Sequence, residues 1–133
     1  MDPPVLLVVD AANVVGSVPD GWWRDRAGAT ARLRDALAPV ADTGLPATAT
    51  ERAIPGPVEV VLVVEGQARD VPAIPGVRVV AAPGSGDDAI VDLVASLDPR
   101  REAVVVTADR GLLDRLDAYG VRVRGARAVP RRP

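Results

Sequence analysis

The sequence has no cysteine, no histidine, no lysine and no phenylalanine. Without cysteine there is no disulfide scaffold, and without cysteine and histidine there is no zinc site of the usual Cys/His kind. A nucleophile activated by histidine, as in Ser-His or Cys-His pairs, is excluded as well. Any chemistry must rest on carboxylates, hydroxyls, amides, arginine or a bound metal. Trp22, Trp23 and Tyr119 are the only aromatic residues. No apolar run approaches the roughly 20 residues of a membrane span. The N-terminal Met1-Asp2-Pro3-Pro4 carries no basic residue, and the apolar run after it ends in an acid, unlike a signal peptide. A cytoplasmic location with no membrane partner is the expectation.

What is present points to one folded domain. The chain has 133 residues, of which 48% are apolar, mostly Val, Ala and Leu. The formal net charge of −2 hides an asymmetry. Residues 1–109 hold 9 Arg against 16 acids, a net of −7, and residues 110–133 hold 7 Arg against 2 acids, a net of +5. A basic end beside an acidic site suits a polyanionic substrate, and a solvated tail is the alternative. Residues 1–125 are expected as a single domain and 126–133 as an Arg- and Pro-rich tail.

Short β-branched runs alternate with longer amphipathic segments, which predicts an α/β domain with a mainly parallel sheet. Strands are expected at 5–10, 58–64, 77–81, 103–107 and 121–124. Helices are expected at 26–40, 87–98 and 109–118, with Gly120 as the cap of the last. The Pro- and Gly-containing stretches 16–25, 42–57 and 66–76 read as loops, with room for a short helical turn in 42–57.

Acids stand where the apolar runs stop. Val5–Val9 ends in Asp10, with Asn13 three residues on; Val60–Val64 ends in Glu65; Ala103–Ala108 ends in Asp109. Asp87-Asp88 follows Gly84-Ser85-Gly86 at the start of an expected helix. In an open parallel sheet, ligands bind beyond the carboxyl ends of the strands. Carboxylates gathered there repel one another unless a cation sits among them, so the pattern predicts a divalent-metal site built from Asp10, Glu65, Asp87, Asp88 and Asp109. Each acid also has a plain reading as a helix cap or turn residue. Asn13 either orients Asp10, holds a phosphate or water, or forms a turn. Ser85, Thr107 and Arg110 are candidate substrate contacts. Trp22 beside Arg24 suits stacking on a nucleobase, against a reading in which the tryptophans cover the sheet edge or a dimer contact.

With these residues placed, the chain resembles PIN-like nucleases, in particular the NYN branch with its YacP-like bacterial relatives. Val8-Val9-Asp10-Ala11-Ala12-Asn13, Gly86-Asp87-Asp88 and Val106-Thr107-Ala108-Asp109-Arg110-Gly111 carry the resemblance. It implies a three-layer Rossmann-like PIN domain with helices on both faces of a five-stranded sheet of order 3-2-1-4-5. It also implies Mg²⁺ or Mn²⁺ as cofactor and hydrolysis of RNA phosphodiesters. By position, Asp10, Asp88 and Asp109 would be metal ligands, with Asp87 auxiliary and Asn13 the second polar residue at the first strand. Relatives often carry Asp where Glu65 stands. RNA is the expected partner, and the family leaves room for a homodimer and for an antitoxin or RNA-processing partner.

The competing readings are a non-catalytic PIN-like module that binds RNA or a protein partner, and a Mg²⁺-dependent nucleotide pyrophosphohydrolase or phosphatase. A haloacid-dehalogenase phosphatase would need an Asp where Ala12 stands, and a receiver domain would need a lysine.

Overall fold

The structure is a computed structural model that describes residues 3–132. Residues 1, 2 and 133, at the ends of the expected domain and tail, lie outside the described residues. Seven strands and five helices follow one another among the described residues. The strands are β1 (Val5–Asp10), β2 (Gly44–Leu45), β3 (Ile54–Pro55), β4 (Val58–Val64), β5 (Val77–Ala81), β6 (Ala103–Val106) and β7 (Arg122–Arg124). The helices are α1 (Ala11–Gly16), α2 (Arg26–Leu37), α3 (Val40–Thr43), α4 (Gly86–Ala95) and α5 (Arg110–Asp117).

Five strands form one sheet in the order β5-β4-β1-β6-β7, and every pair in it is parallel. Counting only these five, the order is 3-2-1-4-5, as the resemblance implies. The central strands β1, β4 and β6 are buried on both faces, which is why they read as continuous Val/Leu runs rather than alternating ones. Helices pack on both faces. Leu7, Val9, Leu62 and Val106 meet Val14 of α1, Leu33 and Leu37 of α2 and Val40 of α3. Leu6, Val8, Val63 and Val105 meet Ile90 and Val94 of α4 and Leu112 and Leu116 of α5. The latter two pairs are spaced i, i+4, the spacing that puts side chains on one helix face.

Three features differ from the sequence expectation. The helix expected over 26–40 stops at Leu37, because Pro39 has no N–H to continue the ladder; α3 follows as a separate turn. The tight turn expected after Asp10 is the helix α1. The stretch expected as loop over 42–57 holds α3 and a small antiparallel hairpin of β2 and β3. Leu45 and Ile54 of that hairpin are buried in the first core layer. Gly120, with φ +66, occupies the left-handed position after α5.

Residues 126–132 run back over the domain. Ala126 and Val129 join the first core layer. Arg131 donates to Ser17 Oγ at 3.3 Å, and Arg132 pairs with Asp20 at 2.9 Å. Among the described residues, no helix is long and apolar enough to cross a membrane.

Candidate functional site

The chain runs from β1 outward to β4 and β5, then returns to β6 and β7 on the other side of β1. Strand order therefore reverses between β1 and β6, the place where open α/β sheets form a ligand crevice beyond the carboxyl ends of their strands. The register Val9↔Val106 makes Asp10 and Thr107 the next neighbours across that crevice. Thr107 Oγ donates to Asp10 Oδ2 at 2.9 Å. Asp10 pairs in register with Val63 on its other side, and alternation puts Glu65 on the same face as Val63.

The acids do two jobs at once. Asp10 caps α1, its Oδ1 accepting the Asn13 N–H at 3.4 Å. Asp109 caps α5, its Oδ1 accepting the Leu112 N–H at 3.0 Å. Glu65 reaches the start of α4, where its Oε2 accepts the Gly86 N–H at 3.0 Å. A Cβ at Gly86 would stand 3.0 Å from Glu65 Oε1, so the carboxylate would have to shift by a few tenths of an ångström to admit one. Ser85 caps α4 by accepting the Asp88 N–H.

Asn13 ties the crevice together. Its side-chain oxygen accepts the Ala108 N–H at 2.8 Å, 95 residues away in sequence. The Asp109 N–H donates to Thr107 Oγ at 3.1 Å, and Thr107 in turn donates to Asp10. Asn13 and Thr107 thus fix the loop that carries Asp109 against Asp10.

The electrostatics of the cluster are unfavourable as it stands. Asp10 is only 3% exposed. Burial pushes its carboxyl up from 3.8 to about 6; the hydrogen bonds from Thr107 and Asn13 oppose the rise, and the charges of Asp87 and Glu65 add to it. The Asp87 carboxyl is also raised, first by burial, then by the charges of Asp109 and Glu65, with Arg115 opposing. Asp10, Glu65, Asp87 and Asp109 therefore share one electrostatic neighbourhood.

Asp88 is directed differently. Its carboxylate pairs with Arg115 of α5 at 2.8 Å on the exposed side of α4. The resemblance put Asp88 in the ligand set and Asp87 beside it; Asp87 is half-buried, and the charges of Asp109 and Glu65 act on it. Arg110 stands exposed at the first position of α5. Trp22 and Arg24 lie in a 3₁₀ turn after α1. Trp22 meets Trp23 edge-on with centroids 5.9 Å apart, and Arg24 lies 5.9 Å from the centroid of the Trp23 ring. Sequence reasoning gave no role to Gly86 or Arg115. Gly86 stood within a quoted motif, but nothing in the sequence marks Arg115 as the partner of Asp88.

Among the described residues, no three acidic side chains stand in an arrangement that would already ligate one ion. The donor chemistry nonetheless fits a hard divalent cation: the set is all oxygen, and two of its carboxyls are held protonated more readily than usual by burial and like charge.

The fold is similar to that in the crystal structure of Rae1 (YacP) from Bacillus subtilis, solved as its W164L mutant. The TM-score is 0.67 at 17% sequence identity, over 93% of this chain and 71% of that one. At that identity the likeness is one of fold. No protein-family profile matches the sequence, and no curated protein matches it. The fold implied by the three short motifs and the likeness of the folded chain thus agree.

Proposed function

We propose that the chain is a metal-dependent ribonuclease that hydrolyses RNA phosphodiester bonds at the crevice between β1 and β6. The observation that supports this reading most is the gathering of Asp10, Glu65, Asp87 and Asp109 at one carboxyl edge, where burial first, and then the neighbouring acidic charges, raise the proton affinity of Asp10 and Asp87. The YacP-like fold adds support, since the resembled family hydrolyses RNA.

Asp10, Asp87, Asp109 and Glu65 would hold Mg²⁺ or Mn²⁺. The bound ion would lower the pKa of a water and offset charge on the phosphate. Within the chain, Thr107 and Asn13 orient Asp10 and anchor the Asp109 loop. The N-termini of α4 and α5 face the crevice with their positive dipole ends, which eases the approach of an anionic backbone. Arg110 stands where it can meet a phosphate. Asp88, tied to Arg115, braces α4 against α5. Work on RNA suits the cytoplasmic location expected from the sequence.

The test is cleavage of a labelled single-stranded RNA with Mn²⁺, with Mg²⁺ and with EDTA, beside a panel of mononucleotides. The proposal expects RNA products that need metal. Hydrolysis of nucleotides without cleavage of RNA would replace the ribonuclease by a small phosphate-ester hydrolase. Neither activity would leave a binding module.

A further inference from the structure

A second feature adjoins the acidic edge. A cleft of about 290 Å³ opens between α1, α2 and the turn after β4, with Ala11, Ala12, Trp22, Arg26, Thr30 and Glu65 in its walls. Its volume lies near the lower end of the range of ligand pockets, roughly 300–1,000 Å³, so it offers room for one flat group. Glu65 belongs to both places: it lines the cleft, and its carboxylate holds the start of α4 beside Asp87. Ala11 and Ala12, which follow Asp10 directly, also line the cleft.

The walls suit a nucleobase. The Arg26 guanidinium lies 5.3 Å from the centroid of the Trp22 ring, and Trp23 braces that ring edge-on. Indole and guanidinium planes both stack on the π-faces of bases. Thr30, itself buried, is also part of the wall. Among the described residues, neither core layer includes a tryptophan. A chain with three aromatics thus places its two largest outside the core, one of them half-buried in this cleft. The Arg131 guanidinium adds positive charge close by: with Arg132, which is paired with Asp20, it lines a neighbouring depression that shares Val15 with the cleft. Aromatic stacking beside basic charge is the usual means of holding single strands without base pairing.

We propose that the Trp22–Arg26 cleft is a subsite for one unpaired RNA base beside the crevice. The inference rests on the ribonuclease reading for its substrate class. It assigns Trp22 and Arg26 to substrate binding and predicts a preference for single-stranded over duplex RNA.

The test uses Trp22 as its own reporter. In a Trp23→Phe, Asp10→Asn background with Mg²⁺, a short single-stranded RNA should quench Trp22 fluorescence. The same strand in a duplex should not, and a nucleoside monophosphate should do so only at far higher concentration. Trp22→Ala should weaken binding of labelled single-stranded RNA roughly 5- to 150-fold, with Trp22→Phe retaining most of it. Arg26→Ala, at an exposed position, is the second variant should Trp22→Ala disturb the fold, and it should also weaken binding. Equal quenching by duplex, quenching by the monophosphate alone, or full RNA affinity in folded Trp22→Ala or Arg26→Ala would overturn the subsite. Absent quenching with metal-dependent cleavage intact sinks the subsite alone. Quenching by single-stranded RNA with no cleavage in any metal by the wild-type protein sinks the ribonuclease reading and leaves the subsite.

Discussion

Replacing Asp10 by Asn should stabilise the protein while abolishing its turnover. The Asp10 carboxyl titrates near 6 in the folded chain, against 3.8 for an ordinary aspartate. A raised folded pKa means the folded state holds the proton more tightly than the unfolded chain. Stability therefore falls as pH rises through the window from about 4 to 6, and the loss is complete above it. A difference of about two pKa units corresponds to about 3 kcal/mol. Asp10 is almost wholly buried, so solvent screening removes little of this. Asparagine keeps the shape and carries no charge. Its oxygen can still accept the Thr107 hydroxyl, but its amide then faces the Asn13 N–H, and that long contact is lost at a cost of about 0.5–1 kcal/mol.

The net expectation is a gain of about 2 kcal/mol at pH 7.5 in EDTA, shrinking toward zero or below near pH 4. Urea unfolding followed by circular dichroism at several pH values reads it directly. Added Mn²⁺ should raise the stability of the wild type more than that of the variant, because only the folded wild-type site gains a tight ligand. A variant no more stable than the wild type at pH 7.5, or a difference that does not change with pH, would refute the reasoning.

Asp87→Asn should lower RNA cleavage by more than the roughly 10- to 100-fold typical of a supporting group, and Asp88→Asn by less than that; the reverse order, read from initial rates, would contradict the side-chain placement. Gly86→Ala should push the Glu65 carboxylate off the start of α4, reducing cleavage while the melting temperature changes little, since alanine favours the helix it enters. Glu51→Ala should destabilise, because it removes the carboxylate paired with the buried Arg124 and leaves that guanidinium only the Arg52 carbonyl as a partner. Arg124→Met should be milder, because the freed Glu51 is more than a third exposed and can hydrate; urea midpoints of the two variants decide it.

The sheet was legible because β1, β4 and β6 are buried on both faces and so could be little other than apolar runs. The strand order came from the family resemblance, carried by Asp10, Asp87-Asp88 and Asp109. What escaped was set by contacts distant in sequence. The hairpin of β2 and β3 has two residues per strand, too few for any periodicity, and is held by Leu45 and Ile54 against the core. The six residues of α1 carry two adjacent valines and a glycine, a poor helix by propensity, so the cap from Asp10 and the packing of Val14 decide it. Adjacent residues on a helix point about 100° apart, and nothing local says which of Asp87 and Asp88 turns inward; Arg115, 27 residues on, fixes Asp88 outward. The bond from Ala108 to Asn13 spans 95 residues and has no local signal at all. The Arg-rich end gave no hint that Ala126 and Val129 would be buried, because two small apolar residues among arginines look like a solvated tail.

The central claim is that the gathered carboxylates hold a divalent ion that RNA cleavage requires. It is tested most directly by the initial rate of cleavage of a labelled single-stranded RNA as Mn²⁺ is titrated into the wild-type protein and into folded Asp10→Asn. The account predicts a rate that saturates with Mn²⁺ in the wild type, returns to zero with EDTA, and stays near zero in Asp10→Asn at every Mn²⁺ concentration. Cleavage that persists in EDTA, or that Asp10→Asn performs at the wild-type rate, would contradict it.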